Sequence, residues 1–133
     1  NRPILFRGKR VDNDEWAYGF LTCRNYIDVW EQKVCYDGQE EIKYCTTKSY
    51  QVQPETVGQF IGLTDKNGNK IFEGDIVKCH SLEYGYTNKT VYYSEDKARF
   101  VLSSLGTDYG FEEYITLKVI GNIYDNEVKY CEQ

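Results

Sequence analysis

Pro54-Glu55-Thr56-Val57-Gly58-Gln59-Phe60-Ile61-Gly62-Leu63-Thr64-Asp65-Lys66-Asn67-Gly68-Asn69-Lys70-Ile71-Phe72-Glu73-Gly74-Asp75-Ile76-Val77-Lys78-Cys79 decides the fold. From Thr56 to Thr64 the side chains alternate with the period of a strand. Val57, Gln59, Ile61 and Leu63 fall on one side, and Thr56, Gly58, Phe60 and Gly62 on the other. Two glycines on one side predict close approach of another backbone. Asp65 to Asn69 reads as a turn, because Asn67-Gly68 readily takes positive φ. Ile71-Phe72 returns as a short strand, Glu73-Gly74 turns again, and Asp75 to Cys79 leaves as a further strand. Pro54 suits the first position of a single helical turn or a bend.

Working outward, the same grammar repeats. Ile4 to Arg7 and Trp16 to Leu21 alternate around a polar stretch whose tip is Asp12-Asn13-Asp14, which predicts a hairpin. Tyr26 to Trp30 is a short third run. Lys33 to Tyr36 and Ile42 to Cys45 flank Asp37-Gly38-Gln39, a strong hairpin cue. Thr90 to Tyr93 and Arg99 to Leu102 form another hairpin around residues 94–98. Ser103 to Gly110 reads as a loop. Tyr114 to Leu117 fits either a strand or a helical turn, and Lys118 to Tyr124 is a last strand interrupted by Gly121.

Composition agrees. The chain of 133 residues holds ten Val, nine Ile, nine Thr and thirteen Tyr against two Ala, seven Leu and no Met. Branched and aromatic side chains suit a pleated surface and lose rotamer freedom in a helix. The expected fold is all-β: one domain over residues 1–133, a small pseudo-barrel of short antiparallel strands with one or two helical turns at most.

The net charge of −5 argues against bulk electrostatic capture of DNA. The first ten residues are basic (Arg2, Arg7, Lys9, Arg10) and residues 109–133 are acidic. Compensation between neighbouring chain ends is preferred to a basic binding arm. Five cysteines (Cys23, Cys35, Cys45, Cys79, Cys131) form no CxxC pair. Cys79 and His80 are neighbours on a strand and so face opposite ways. Buried, reduced thiols are expected, with no metal and no cofactor. No apolar run approaches the roughly 18 residues that span a bilayer, and no secretory leader is visible. A cytoplasmic location and no membrane partner are therefore expected.

The stretch from Pro54 to Val77 closely resembles the central motif of the YopX family. Ile4-Leu5-Phe6-Arg7 with Trp16-Ala17-Tyr18-Gly19 is similar to that family's N-terminal hairpin. Val119-Ile120-Gly121-Asn122-Ile123-Tyr124-Asp125-Asn126 is similar to its C-terminal strand. Tyr92, Tyr93 and Phe100 fall where the family tends to place aromatics. Residues 80–117 match least. The resemblance implies a β-rich pseudo-barrel encoded by bacteriophages and prophages, and no established activity. It marks Thr56, Gly58, Gly62, Asp65, Asn67, Gly68, Glu73, Gly74, Asp75, Gly121 and Asn122 as a structural motif.

Asp65, Glu73 and Asp75 could serve as acid and base or hold a divalent cation. Each also sits beside a turn glycine, where a carboxylate caps backbone N–H groups without any substrate. The capping reading is preferred, and no catalytic residue is assigned. GxSxG, P-loop and GxGxxG patterns are absent. Tyr84, Tyr86, Tyr92 and Tyr93, with Lys97 and Arg99 nearby, are the candidate binding residues. They would offer either a protein-contact surface or a stacking platform for single-stranded nucleic acid. Without a dense basic track the protein partner, or a second copy, is favoured over nucleic acid. The expected function is that of a non-catalytic phage-type accessory protein. A nucleic-acid-binding barrel is the alternative, and a carboxylate-dependent enzyme comes last.

Overall fold

A computed structural model describes residues 3–125. The chain forms two compact units, one from Ile4 to Val57 and one from Gly58 onward. The strand pairs described below are all antiparallel, and the only helical pieces among the described residues are two 3-10 turns, Pro54–Thr56 and Phe111–Glu113. The all-β expectation therefore holds, with Pro54 opening its turn as anticipated.

The first unit is a meander. β1 (Phe6–Lys9) pairs with β2 (Trp16–Cys23), which pairs with β3 (Tyr26–Asp37), which pairs with β4 (Glu40–Gln51). Alternation buries Ala17, Ile27 and Val52 in a small core, with Phe6, Leu21, Val29, Tyr50 and Val57 packed against them. β3 and β4 depart from the expected short strands. Each has twelve residues, joined through Gly38 at φ +64°, and their pairing runs without a bulge from Asp37↔Glu40 to Tyr26↔Gln51. Beyond Trp30 nearly every residue of this ribbon is exposed on both faces. Strand propensity and cross-strand pairs, not burial, hold its outer half.

The second unit begins with β5 (Gly58–Thr64) and β6 (Lys70–Phe72), a pair joined by the Asp65–Asn69 turn. A five-stranded sheet follows. β7 (Asp75–Ser81), β8 (Gly85–Ser94), β9 (Arg99–Ser104), β10 (Thr107–Tyr109) and β11 (Thr116–Asn122) take the order β10-β9-β8-β7-β11. This sheet runs between two edges, β10 and β11, and does not close into a barrel. Val77, Cys79, Val91 and Leu102 on its inner face pack with Ile61 and Ile71. Ser103 to Gly110, expected as a loop, contains β10. Leu105 and Gly106, at φ +52° and +81°, make a two-residue hairpin turn of the kind that matches strand twist. Tyr114 to Leu117 resolves into a chain leaving the 3-10 turn and then a strand, and β11 bulges between Val119 and Gly121.

Gly58 fulfils its expected role, because a Cβ there would meet the Glu73 carbonyl at 2.8 Å. Gly62 does not. It is exposed, sits at φ +98° and lies within an irregular stretch of the β5–β6 pairing. Its requirement is conformational rather than steric. Gly68 is at φ +84°, and a Cβ there would meet nothing within 4 Å. Gly68→Val thus carries backbone strain alone and is expected to cost on the order of 1–3 kcal/mol. Thermal melting checks this, and an unchanged midpoint contradicts the turn.

Candidate functional site

The carboxylates of the central motif are occupied by backbone. Asp65 Oδ1 accepts N–H bonds from Asn67 (2.9 Å) and Asn69 (2.8 Å). Its Oδ2 accepts from the Val119 N–H (3.0 Å) and the Asn69 side chain (3.3 Å). Burial works against the ionised form, but the N–H bonds from Val119, Asn69 and Asn67 outweigh it and hold the carboxyl below its ordinary 3.8. Asp75 Oδ2 accepts the Phe72 N–H at 2.8 Å, and Glu73 Oε1 accepts the Gln59 N–H at 3.0 Å. Gly74, at φ +87°, donates to Val91 and accepts from Ile123. Asn122 Oδ1 accepts from the N–H groups of Tyr124 and Asp125. Thr56 Oγ1 accepts the Lys9 N–H and donates to the Gln53 carbonyl. These groups tie strands and turns together; they do not converge on an open cleft.

The thiols divide. Cys79 is buried, and burial pushes it up to about 12, so it is no nucleophile near neutral pH. Cys23, Cys35 and Cys45 are exposed, which corrects the expectation that the thiols are buried. Two of them ride on the ribbon of β3 and β4, where no core exists to receive them. Cys131 lies outside the described residues, as do Glu127, Lys129 and Glu132 of the acidic C-terminal stretch. Among the described residues no three of His, Cys, Asp and Glu gather as metal ligands. At the other end, Arg10 bonds Asp12 (2.6 Å) and lies over the Tyr50 ring, and Arg7 lies over Trp16.

The six candidate binding residues do not form one patch. Tyr86 and Tyr92 share one face of β8 by period, and Tyr93 takes the other. Tyr86 stands directly opposite His80 on β7. Their rings stack with centroids 4.3 Å apart, and Lys78 lies over the same Tyr86 ring at 4.7 Å. Lys118 of β11 stands opposite Lys78 in the pairing on the other side of β7. Tyr92 is exposed opposite Val101. Tyr84 is 76% exposed in the turn before β8. Lys97 lies in the β8–β9 turn, where its N–H is held by Ser94.

Tyr93 and Arg99 belong elsewhere. Tyr93 meets Phe100 edge-on at 5.2 Å, and both line a groove of about 760 Å³ with Ile61, Leu63, Phe111 and Leu117. Arg99 pairs with Glu112 at 2.9 Å in the same wall. The sequence reading missed Lys78 and His80 as neighbours of Tyr86. Alternation along Ile76, Lys78 and His80, opposite the buried run Asp75, Val77 and Cys79, carried that signal.

Among the described residues no helix is long and apolar enough to cross a membrane. No match is found among curated proteins. Among solved structures the chain is similar to the crystal structure of protein EF1440 from Enterococcus faecalis. That likeness has a TM-score of 0.61 and 22% identity, and it covers 95% of this chain and 96% of that one. At such identity it is a likeness of fold. The YopX protein family matches residues 5–128, nearly the whole chain, and the motif of turns and backbone-capping carboxylates described above lies inside that span. The chain belongs to the YopX family.

Proposed function

We propose that this protein is a non-catalytic accessory protein of phage or prophage type, acting in the bacterial cytoplasm by binding another protein. Its contact surface is the outward face of β8 around Tyr86 and Tyr92. The observation that carries the reading is the exposed Tyr86 ring, held in place by the stack on His80 and the overlying Lys78. A ring fixed before binding loses little side-chain entropy on contact, which is why aromatic side chains serve as interface anchors. The non-catalytic part rests on Asp65, Glu73 and Asp75, each of which accepts backbone N–H groups.

Tyr86→Ala and Tyr92→Ala are expected to weaken partner association by about 1–2 kcal/mol or more while the melting temperature holds. Tyr93→Ala, which removes the contact with Phe100, is expected to lower the melting temperature instead. Pull-down from phage-infected host cells with parent and variants tests this. Folded variants that recover the same partner at the same yield remove β8 as the contact.

The Lys78–Lys118 juxtaposition beside a stacked aromatic pair supports a second reading, single-stranded nucleic acid laid across the sheet. Tight, salt-dependent oligonucleotide binding, lost in Tyr86→Ala, would favour it.

A further inference from the structure

We propose that the outer edge of β4 pairs with β4 of a second copy, antiparallel about a two-fold axis at Tyr44. The other sheet margins are short, bulged or covered: β6 has three residues, and the outer edge of β11 is occupied by the Lys66 N–H on the Leu117 carbonyl and by Asp65 on the Val119 N–H. β10 has three residues, and β11 is bulged between Val119 and Gly121. Both devices discourage edge pairing. β4 has neither. It is the terminal strand of its sheet, twelve residues long, without proline and without a bulge in its pairing to β3. The ribbon it belongs to is exposed on both faces and carries Trp30, Val34, Tyr36, Ile42 and Tyr44 in the open. A two-stranded ribbon is marginal in water on its own, and added strands are what stabilise it.

Hydrogen bonds at the base of β4 set which groups face outward. The Val52 N–H donates inward to Asn25, while the Gln51 carbonyl points outward and accepts from Val11. Both backbone groups of one residue point to the same side of an antiparallel strand, and the side alternates. The outward residues are therefore Glu41, Lys43, Cys45, Thr47 and Ser49. Val11 covers the edge at Gln51, which leaves the stretch before it open.

A two-fold axis normal to the sheet keeps each face on itself, so a residue on the axis must oppose its own copy. With Tyr44 on the axis, Lys43 bonds the copy's Cys45 and Glu41 bonds the copy's Thr47, each pair exchanging outward N–H and C=O groups. Between them lie the non-bonded positions, where side chains come closest. These are Tyr44 with Tyr44, Ile42 with Thr46, and Glu40 with Lys48, each of the last two occurring twice. Shifting the axis one residue back sets Lys43 against Lys43. Shifting it one residue forward sets Glu40 against Tyr50 and Lys48 against Ile42. Only the Tyr44 register among these three opposes Glu40 to Lys48. It is this charge match that commits the edge to a second copy.

Sedimentation equilibrium of the full chain tests the proposal. The parent is expected to dimerise. Lys48→Glu, which opposes Glu to Glu40 at both ends, is expected to weaken the dimer about tenfold. The double exchange Glu40→Lys/Lys48→Glu is expected to restore it. In a background with Cys23, Cys35, Cys45 and Cys131 replaced by Ser, Tyr44→Cys is expected to form a cross-linked dimer on mild oxidation. Far-UV circular dichroism confirms folding of each variant. Tyr86→Ala is expected to leave the dimer unchanged, which separates this edge from the β8 surface. A monomeric parent overturns the proposal, and so does a dimer indifferent to Lys48→Glu.

Discussion

Asp65→Ala is expected to destabilise the protein by about 3–4 kcal/mol, far more than an ordinary turn substitution. The carboxylate is buried and satisfies the backbone N–H groups of Asn67, Asn69 and Val119 together with the Asn69 side chain. Truncation leaves those donors beside an empty space, and hydrogen bonds to a charged acceptor are the costly ones to lose. Asp65→Asn is instructive. Its single oxygen can still serve the turn, but its NH2 then faces the Val119 N–H, donor against donor. It should therefore recover only part of the loss. The pH dependence follows from the same bonds. The native carboxyl lies below its ordinary 3.8, so its contribution is complete above that value. It drains away as the pH falls through the lowered native value. Chemical denaturation of parent and both variants at neutral pH and in acid measures this. An Asp65→Asn variant as stable as the parent would show that the carboxylate is not holding the turn to β11, and would reopen a chemical role for it.

What could be read from the residues divides along burial. Where a strand has one face in a core, alternation and turn chemistry are legible. Ile61, Ile71, Val77 and Cys79 lie inside, and Gly68 and Gly74 take positive φ. The outer half of the ribbon follows no such rule. Glu31-Gln32-Lys33 breaks the apolar pattern, so the sequence reads as two short runs with a gap. The structure carries one continuous strand through it because neither face needs to be apolar. Cys35 and Cys45 are exposed for the same reason: a thiol is buried only where there is a core to receive it. β10 was hidden by its length, since Thr107–Tyr109 is too short to show a period.

The candidate site was legible in composition and illegible in arrangement. A cluster of tyrosines marks a surface, but adjacent Tyr92 and Tyr93 necessarily point to opposite faces. Which face meets solvent depends on Phe100 and the groove residues packing beneath, and these come from four different elements. The pairing of Tyr86 with His80 depends on the register of β7 and β8. The Tyr84-Gly85 turn suggests that register, and only the pairing establishes it.

Gly19→Ala is the substitution expected to do most damage per atom added. Gly19 lies in β2, buried, opposite Phe6 in the pairing with β1. A Cβ built on it would overlap the Asp28 carbonyl oxygen of β3, with the Ile27 side chain 3.3 Å away. Neither neighbour can yield cheaply. The carbonyl is backbone, and Ile27 is the fully buried centre of the first unit's core. Relief requires β3 to withdraw from β2, which breaks the Phe20↔Asp28 and Leu21↔Ile27 pairing and lifts Ile27 off Ala17 and Val52. Overpacking of a close-packed interior usually costs 1–3 kcal/mol, and an overlap with backbone belongs at or beyond the upper end, so about 3 kcal/mol or more is expected. The contrast with Gly68→Val isolates the cause. At Gly68 the backbone conformation is strained and the space is empty; at Gly19 the backbone is an ordinary strand and the space is filled. Hydrogen exchange should locate the damage, with protection falling at Phe20, Leu21, Ile27 and Asp28, where β2 pairs with β3, before it falls at Val77 or Val91. A Gly19→Ala variant that melts with the parent would mean that β2 and β3 stand further apart than the close approach of Asp28 requires.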